Sequence, residues 1–196
     1  MGRYELHGQL SEPFFRPAGG YFANFSSSVG SNSEEIYSRQ ALYSSYTLPM
    51  GSELAVKSAP RFWVWAVQDP AGPPLDRIQI VKGWVENGEQ RQSVRDVVCS
   101  NGRLPGSSGK CPRTTADVNL ENCERTGTEG ASELQVTFSD PDFSAEQSAF
   151  YYARVLENPT CRWTTLLANS ADKSLPDDLS ATVQERGWSS PIWYGH

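Results

Sequence analysis

Arg61-Phe62-Trp63-Val64-Trp65-Ala66-Val67 is an unbroken, largely apolar run of strand length. Its aromatic and β-branched content predicts a buried strand. It ends at Asp69-Pro70-Ala71-Gly72-Pro73-Pro74, a dense turn signal. Working downstream, residues 77–85 alternate well enough for a second strand, with Gly83 as a candidate bulge that restores register. Asn87-Gly88 then predicts a hairpin leading into a strand over 92–99. Residues 133–139 alternate cleanly, with Leu134, Val136 and Phe138 on one face and Glu133, Gln135, Thr137 and Ser139 on the other. Asp140-Pro141-Asp142 turns the chain, and 149–156 form the next strand, stopped by Asn158-Pro159. Residues 188–194 read as one closing strand, in which Pro191 demands an edge or a bulge because proline offers no ladder donor.

Five or six short strands separated by turns predict a mainly β chain, an antiparallel, immunoglobulin-like β-sandwich over 59–196 with little helix. A short helix fits around Leu166-Leu167-Ala168. Upstream, 1–58 read as an irregular arm with short strand and helix pieces. Its aromatics Phe14, Phe15, Tyr21, Phe22 and Phe25 sit among Gly and Ser, and a helix capped by Ser33 is expected over 34–43.

Composition narrows the function. Among 196 residues, 17 Lys and Arg stand against 23 Asp and Glu, giving a net charge of −6. That balance argues against nucleic acid as a partner, since phosphate binding needs a basic stripe. No apolar run approaches the ~18–20 residues of a membrane span, and the start, Met1-Gly2-Arg3-Tyr4-Glu5, lacks the apolar stretch of a signal peptide.

The four cysteines, Cys99, Cys111, Cys123 and Cys161, form no C-x-x-C pair, so zinc-ribbon and thioredoxin readings lack their signature. Cys99 and Cys111 bracket a loop with three Gly and one Pro, which gains from closure by roughly 3 kcal/mol in the chain-entropy model. Of the three possible pairings, Cys99–Cys111 with Cys123–Cys161 is favoured, stapling a long irregular 100–130 excursion to the strand end near 160. Two disulfides imply a periplasmic or secreted protein whose export signal lies outside this chain.

The two histidines, His7 and His196, share no spacing with a carboxylate or cysteine, and no catalytic residue is identified. Ser189 and Ser190 have no histidine placed to activate them. Asn24-Phe25-Ser26 fits a glycosylation sequon.

Four strings carry a family resemblance. They are Leu75-Asp76-Arg77-Ile78-Gln79-Ile80-Val81-Lys82-Gly83-Trp84, then Asp140-Pro141-Asp142-Phe143, then the stretch from Ala149-Phe150-Tyr151-Tyr152 through Asn158-Pro159-Thr160-Cys161-Arg162-Trp163, and Gln184-Glu185-Arg186-Gly187-Trp188-Ser189-Ser190-Pro191-Ile192-Trp193-Tyr194. In this order, over roughly 48–194, they resemble the C-terminal end of the bacterial proteins called domain of unknown function 3604. That family is itself similar to the polymerase-and-histidinol-phosphatase (PHP) type of metal-dependent phosphoesterases. The resemblance implies that the metal-binding half lies N-terminal to this region and supplies an H-x-H strand end with further His and Asp ligands. This chain has no H-x-H, so no metal ligand is carried over and no cofactor is expected in it. A divalent metal is expected in the N-terminal half alone, and that half, or its equivalent, is the expected partner.

Candidate contact residues follow. Trp63, Trp65, Trp84, Trp163, Trp188 and Trp193, with Tyr151-Tyr152, could form a stacking platform, against the plainer reading that strand tryptophans fill the core. Arg154 inside an apolar strand is either an anion-binding group or half of a partly buried pair with Glu185. Asp140 and Asp142 read as a turn before they read as calcium ligands. Arg154, Glu185, Trp163, Trp188 and Trp193 are therefore the expected contacts to a ligand or a neighbouring domain. Two functions remain: a non-catalytic β-domain packed on a metallohydrolase-like half, or an independent exported binding module, for carbohydrate or another ligand, that uses exposed aromatics.

Overall fold

A computed structural model describes residues 22–28, 47–55 and 59–195. The helix expected over 34–43 and both histidines lie outside the described residues.

The described chain is mainly β, with one helix. Its elements run β1 (Phe22–Ser28), β2 (Thr47–Pro49), β3 (Glu53–Leu54), β4 (Arg61–Val67), β5 (Leu75–Glu86), β6 (Glu89–Cys99), β7 (Asp117–Val118), β8 (Arg125–Thr126), β9 (Glu133–Ser139), β10 (Ala149–Glu157), β11 (Thr160–Cys161), α1 (Trp163–Ser170), β12 (Thr182–Val183), β13 (Arg186–Trp188) and β14 (Ile192–Tyr194). A four-stranded antiparallel sheet has the order β2-β1-β4-β9. A six-stranded sheet has the order β3-β14-β10-β5-β6, with β13 also paired to β10. Within it, β14 and β3 run parallel, Trp193 opposite Glu53 and Tyr194 opposite Leu54.

Side chains from both sheets meet in one apolar core. Phe62, Val64, Ala66 and Leu134 come from the first sheet, and Ile78, Ile80, Tyr151, Ala153, Val155 and Ile192 from the second. The Phe62 and Tyr151 rings lie 4.7 Å apart between centroids. Strict alternation explains the sidedness: in β4 the even-numbered residues face the core, which sends Trp63 and Trp65 to the other side of the sheet. Leu134, Val136 and Phe138 all pack on the core, as their alternation predicts.

The β5–β6 turn is the one expected. Asn87 (φ 52°) and Gly88 (φ 79°) both take left-handed backbone, the geometry that matches strand twist in a two-residue hairpin. Gly83 is not a bulge. Its register is unbroken toward both Phe150 and Gln92, and a Cβ there would run into the Phe150 ring. The irregularity lies instead between Ile78 and Gln79, whose partners jump from Val98 to Asp96. The closing segment is two strands rather than one. Between them the Ser189 backbone N–H donates to Ala153 O (3.0 Å), and the Ser189 Oγ accepts the Ala153 N–H (2.9 Å).

Disulfides join Cys99 to Cys111 and Cys123 to Cys161, the pairing favoured from loop composition. The first closes the excursion after β6, and the second ties the segment beside β8 to β11. No helix of the described residues is long and apolar enough to cross a membrane.

Candidate functional site

The strand registers assemble one face of the six-stranded sheet, directed away from the core, from every second residue. From β10 it takes Phe150, Tyr152, Arg154 and Leu156; opposite them on β5 stand Gly83, Val81, Gln79 and Arg77. Trp193 on β14 is opposite Phe150, and Trp188 and Arg186 on β13 are opposite Arg154 and Leu156. Phe150 and Tyr152 are near parallel (8°, centroids 6.3 Å), and Trp193 tilts against Phe150 at 5.4 Å. Together with Val85, Gln90 and Gln92 they border an open groove of about 950 Å³. Gly83 forms its floor, which is why Phe150 can lie flat across the sheet.

At the Arg154 end this face becomes polar. The Arg154 Nε–H donates to Gln79 Oε1 (2.7 Å), and Gln79 Nε2 donates to the buried Asp96 Oδ1 (2.5 Å). The second Asp96 oxygen accepts the Cys111 amide (2.7 Å) and faces Arg77 Nε at 3.6 Å. Asp76, with no exposed surface, gathers Arg77, Arg103 (2.6 Å) and Gln184 (3.0 Å). This network anchors the Cys99–Cys111 loop to the sheet. Arg154 and Glu185 form no ion pair; Glu185 instead contributes its backbone carbonyl to the Glu157 amide (3.1 Å).

From the last residue of β10 onward, polar atoms are buried without hydrogen-bond partners: Glu157 Oε1, Asn158 Oδ1, Arg162 Nε and Thr164 Oγ1. Burial, followed by the charges of Glu185 and Asp69, pushes Glu157 up to about 7, with Arg125 opposing. The following helix, α1, turns Thr165 inward, where its hydroxyl donates to Ala181 O (2.6 Å). Trp163 (69% exposed), Leu166 (52%) and Leu167 (59%) face solvent at i, i+3 and i+4 spacing. Asn169 Nδ2 donates to Leu120 O (2.7 Å), bringing exposed Leu120 to the same helix.

Inside the molecule, Lys82 and Asp140 form a buried pair at 2.7 Å, and the Tyr151 hydroxyl also donates to Asp140 (2.9 Å). Lys82 lies over the Trp84 and Tyr151 rings. Burial alone would raise Asp140, but hydrogen bonds from Lys82, the Asp142 amide and Tyr151 outweigh it and hold the carboxyl below its usual range. Burial and the Asp140 charge push the Tyr151 phenol up. The Asp140–Asp142 turn thus carries a core ion pair, and no group of three or more His, Cys, Asp or Glu among the described residues is placed to hold a metal ion. The one signal for the pair was a lysine set between the apolar Ile80-Val81 and Trp84-Val85 of β5.

The structure therefore unites Arg154, Trp188 and Trp193 on one sheet face, leaves Glu185 beside it through its backbone, and puts Trp163 elsewhere, on α1. Of the six tryptophans, Trp84 packs on the core, Trp63 is buried on the opposite face of its sheet, and Trp163 and Trp188 are exposed. Sequence reasoning missed Gln79 and Arg186, whose roles rest on register, and the outward stripe of α1.

The described chain is mainly β, is stapled by two disulfides and presents aromatic and apolar side chains to solvent. It belongs to the family described as protein of unknown function (DUF3604), which residues 22–196 match. No curated protein and no solved structure matches it.

Proposed function

We propose that this chain is the non-catalytic C-terminal β-domain of an exported, PHP-like metallohydrolase of unknown substrate. In this reading its two main sheets form an immunoglobulin-like sandwich that docks against a metal-binding half lying N-terminal to it. The observation that carries the reading is α1, whose apolar stripe of Trp163, Leu166 and Leu167 faces water rather than its own core. A surface helix normally turns such a stripe inward, and an exposed apolar patch marks an interaction site. Two disulfides support a periplasmic or secreted setting. Divalent metal belongs, in this reading, to the neighbouring half.

The test is association. Mixed with the metal-binding half of a family member that carries both halves, the chain is expected to form a 1:1 complex by native mass spectrometry. Trp163→Ser with Leu167→Ser abolishes it while the melting temperature of the chain holds. A folded chain that never associates, or that by itself turns over a phosphoester with added Mn²⁺ or Zn²⁺, overturns the proposal.

The groove beside Phe150, Tyr152 and Trp193 favours a second reading, an independent exported module that binds carbohydrate or another ligand. Its near-parallel rings suit the flat face of a sugar. Saturation-transfer NMR with oligosaccharides separates the two: signals lost in Trp193→Ala favour the module.

A further inference from the structure

We propose that the six-stranded sheet carries an oxyanion-binding site at Arg154, completed by Arg186 and Trp188, independent of both readings above. Arg154 stands on a central strand, flanked by Gln79 on β5 and Trp188 on β13. Its Nε is held by Gln79, which is itself held by the buried Asp96. That relay fixes the plane of the guanidinium from behind. Its two terminal nitrogens make no hydrogen bond or ion pair with any described residue, so a fork of donors is oriented and unused. Neither terminal nitrogen is among the buried unpartnered atoms, so both stay open to solvent, and bidentate pairing with an oxyanion is the geometry such a fork suits best.

The surroundings match that chemistry. Arg186 lies on the same face, two residues before Trp188 and diagonal to Arg154, a relation that places strand positions about 7–8 Å apart. It is exposed and has no ion pair among the described residues. The nearest carboxylate of the network, Asp96, is committed to Gln79, the Cys111 amide and Arg77. Trp188 is exposed beside the fork, so a flat group bearing the anion has a surface to rest on. The chain as a whole carries −6, which repels anions, so an anion that binds does so through this local arrangement. The ligand is a carboxylate, sulfate or phosphate group, either free or carried on a sugar-like ring.

Calorimetric titration of the full chain with inorganic phosphate, inorganic sulfate, glucuronate and, as a neutral control, glucose distinguishes these sources, with chloride holding ionic strength constant. At least one oxyanion is expected to bind, and Arg154→Lys weakens it about tenfold, because a lysine keeps the charge and loses the fork. Arg186→Ala weakens it severalfold. Trp188→Ala leaves the inorganic anions unchanged and lowers glucuronate alone. Saturation by phosphate or sulfate identifies a tetrahedral anion, and saturation by glucuronate alone identifies a sugar acid. Should Arg154→Lys fail to fold, Gln79→Leu, which frees the guanidinium without altering charge, is expected to weaken binding severalfold. No oxyanion binding above chloride, or an isotherm unchanged in whichever of these two variants folds, overturns the proposal.

Discussion

Glu157 is 3% exposed, with one carboxylate oxygen lacking a hydrogen-bond partner. Its ordinary value of 4.5 is raised to about 7 in the fold, by burial first and then by Glu185 and Asp69. Below 4.5 the folded and unfolded chains both hold the proton, and the group is neutral to stability. Between 4.5 and about 7 the native state keeps a proton that the unfolded chain has released, so stability falls as pH rises, and above 7 the full penalty stands. Asp140 acts in the opposite sense: its lowered carboxyl contributes stability at neutral pH that is lost on acidification through its folded value. Glu157→Gln is therefore expected to match the wild type in urea unfolding near pH 4 and to exceed it at pH 8, by roughly 1–2 kcal/mol. The readout is the difference between the two proteins, since other groups titrate in both. Equal unfolding midpoints at pH 8 contradict the assignment.

Gly83 shows at the level of elements what a linear reading of sequence can and cannot reach. Strands β4, β9 and β10 and the Asn87-Gly88 turn were legible because their determinants are local: alternation, β-branched content and left-handed turn residues. The role of Gly83 was not, because the ring that covers it belongs to Phe150, and strand pairing decides that neighbour. The same holds for Arg154, whose partner proved to be Gln79 across the ladder rather than Glu185 nearby. The split between β13 and β14 was half legible: Pro191 announced an interruption, but the bonding of Ser189 to Ala153 that fills it depends on β10. The outward stripe of α1 was partly legible: Trp163 was an expected contact, but which side of a short helix faces the core depends on what packs against it. Gly83→Ala is expected to lose about 1–3 kcal/mol, because the added methyl meets the Phe150 ring in a packed ladder. Adding Phe150→Leu is expected to restore part of that loss. Chemical denaturation of the single and double variants measures it, and a fully tolerated Gly83→Ala refutes the close approach.

For the molecule as a whole, the two cross-links differ in reach. Cys99–Cys111 spans a sequence separation of 12, and Cys123–Cys161 spans 38. The chain-entropy relation assigns about 3 kcal/mol to the shorter closure and about 4 kcal/mol to the longer. Replacing Cys123 and Cys161 by Ser is thus expected to lower the melting temperature more than replacing Cys99 and Cys111. The short β7–β8 and β11–β12 pairs, which the longer link joins, should lose amide protection first. The reverse order of melting temperatures would show that the Asp96–Cys111 anchoring outweighs loop length. A final consequence concerns mechanics. Because β3 runs parallel to β14, and Gly51 and Ser52 bond to Pro191 and Trp193, tension applied between residue 50 and residue 195 slides the two strands lengthwise. Their hydrogen bonds then bear the load together instead of opening in succession like a zip, so a pull along this axis meets its resistance at the seam between these two short segments.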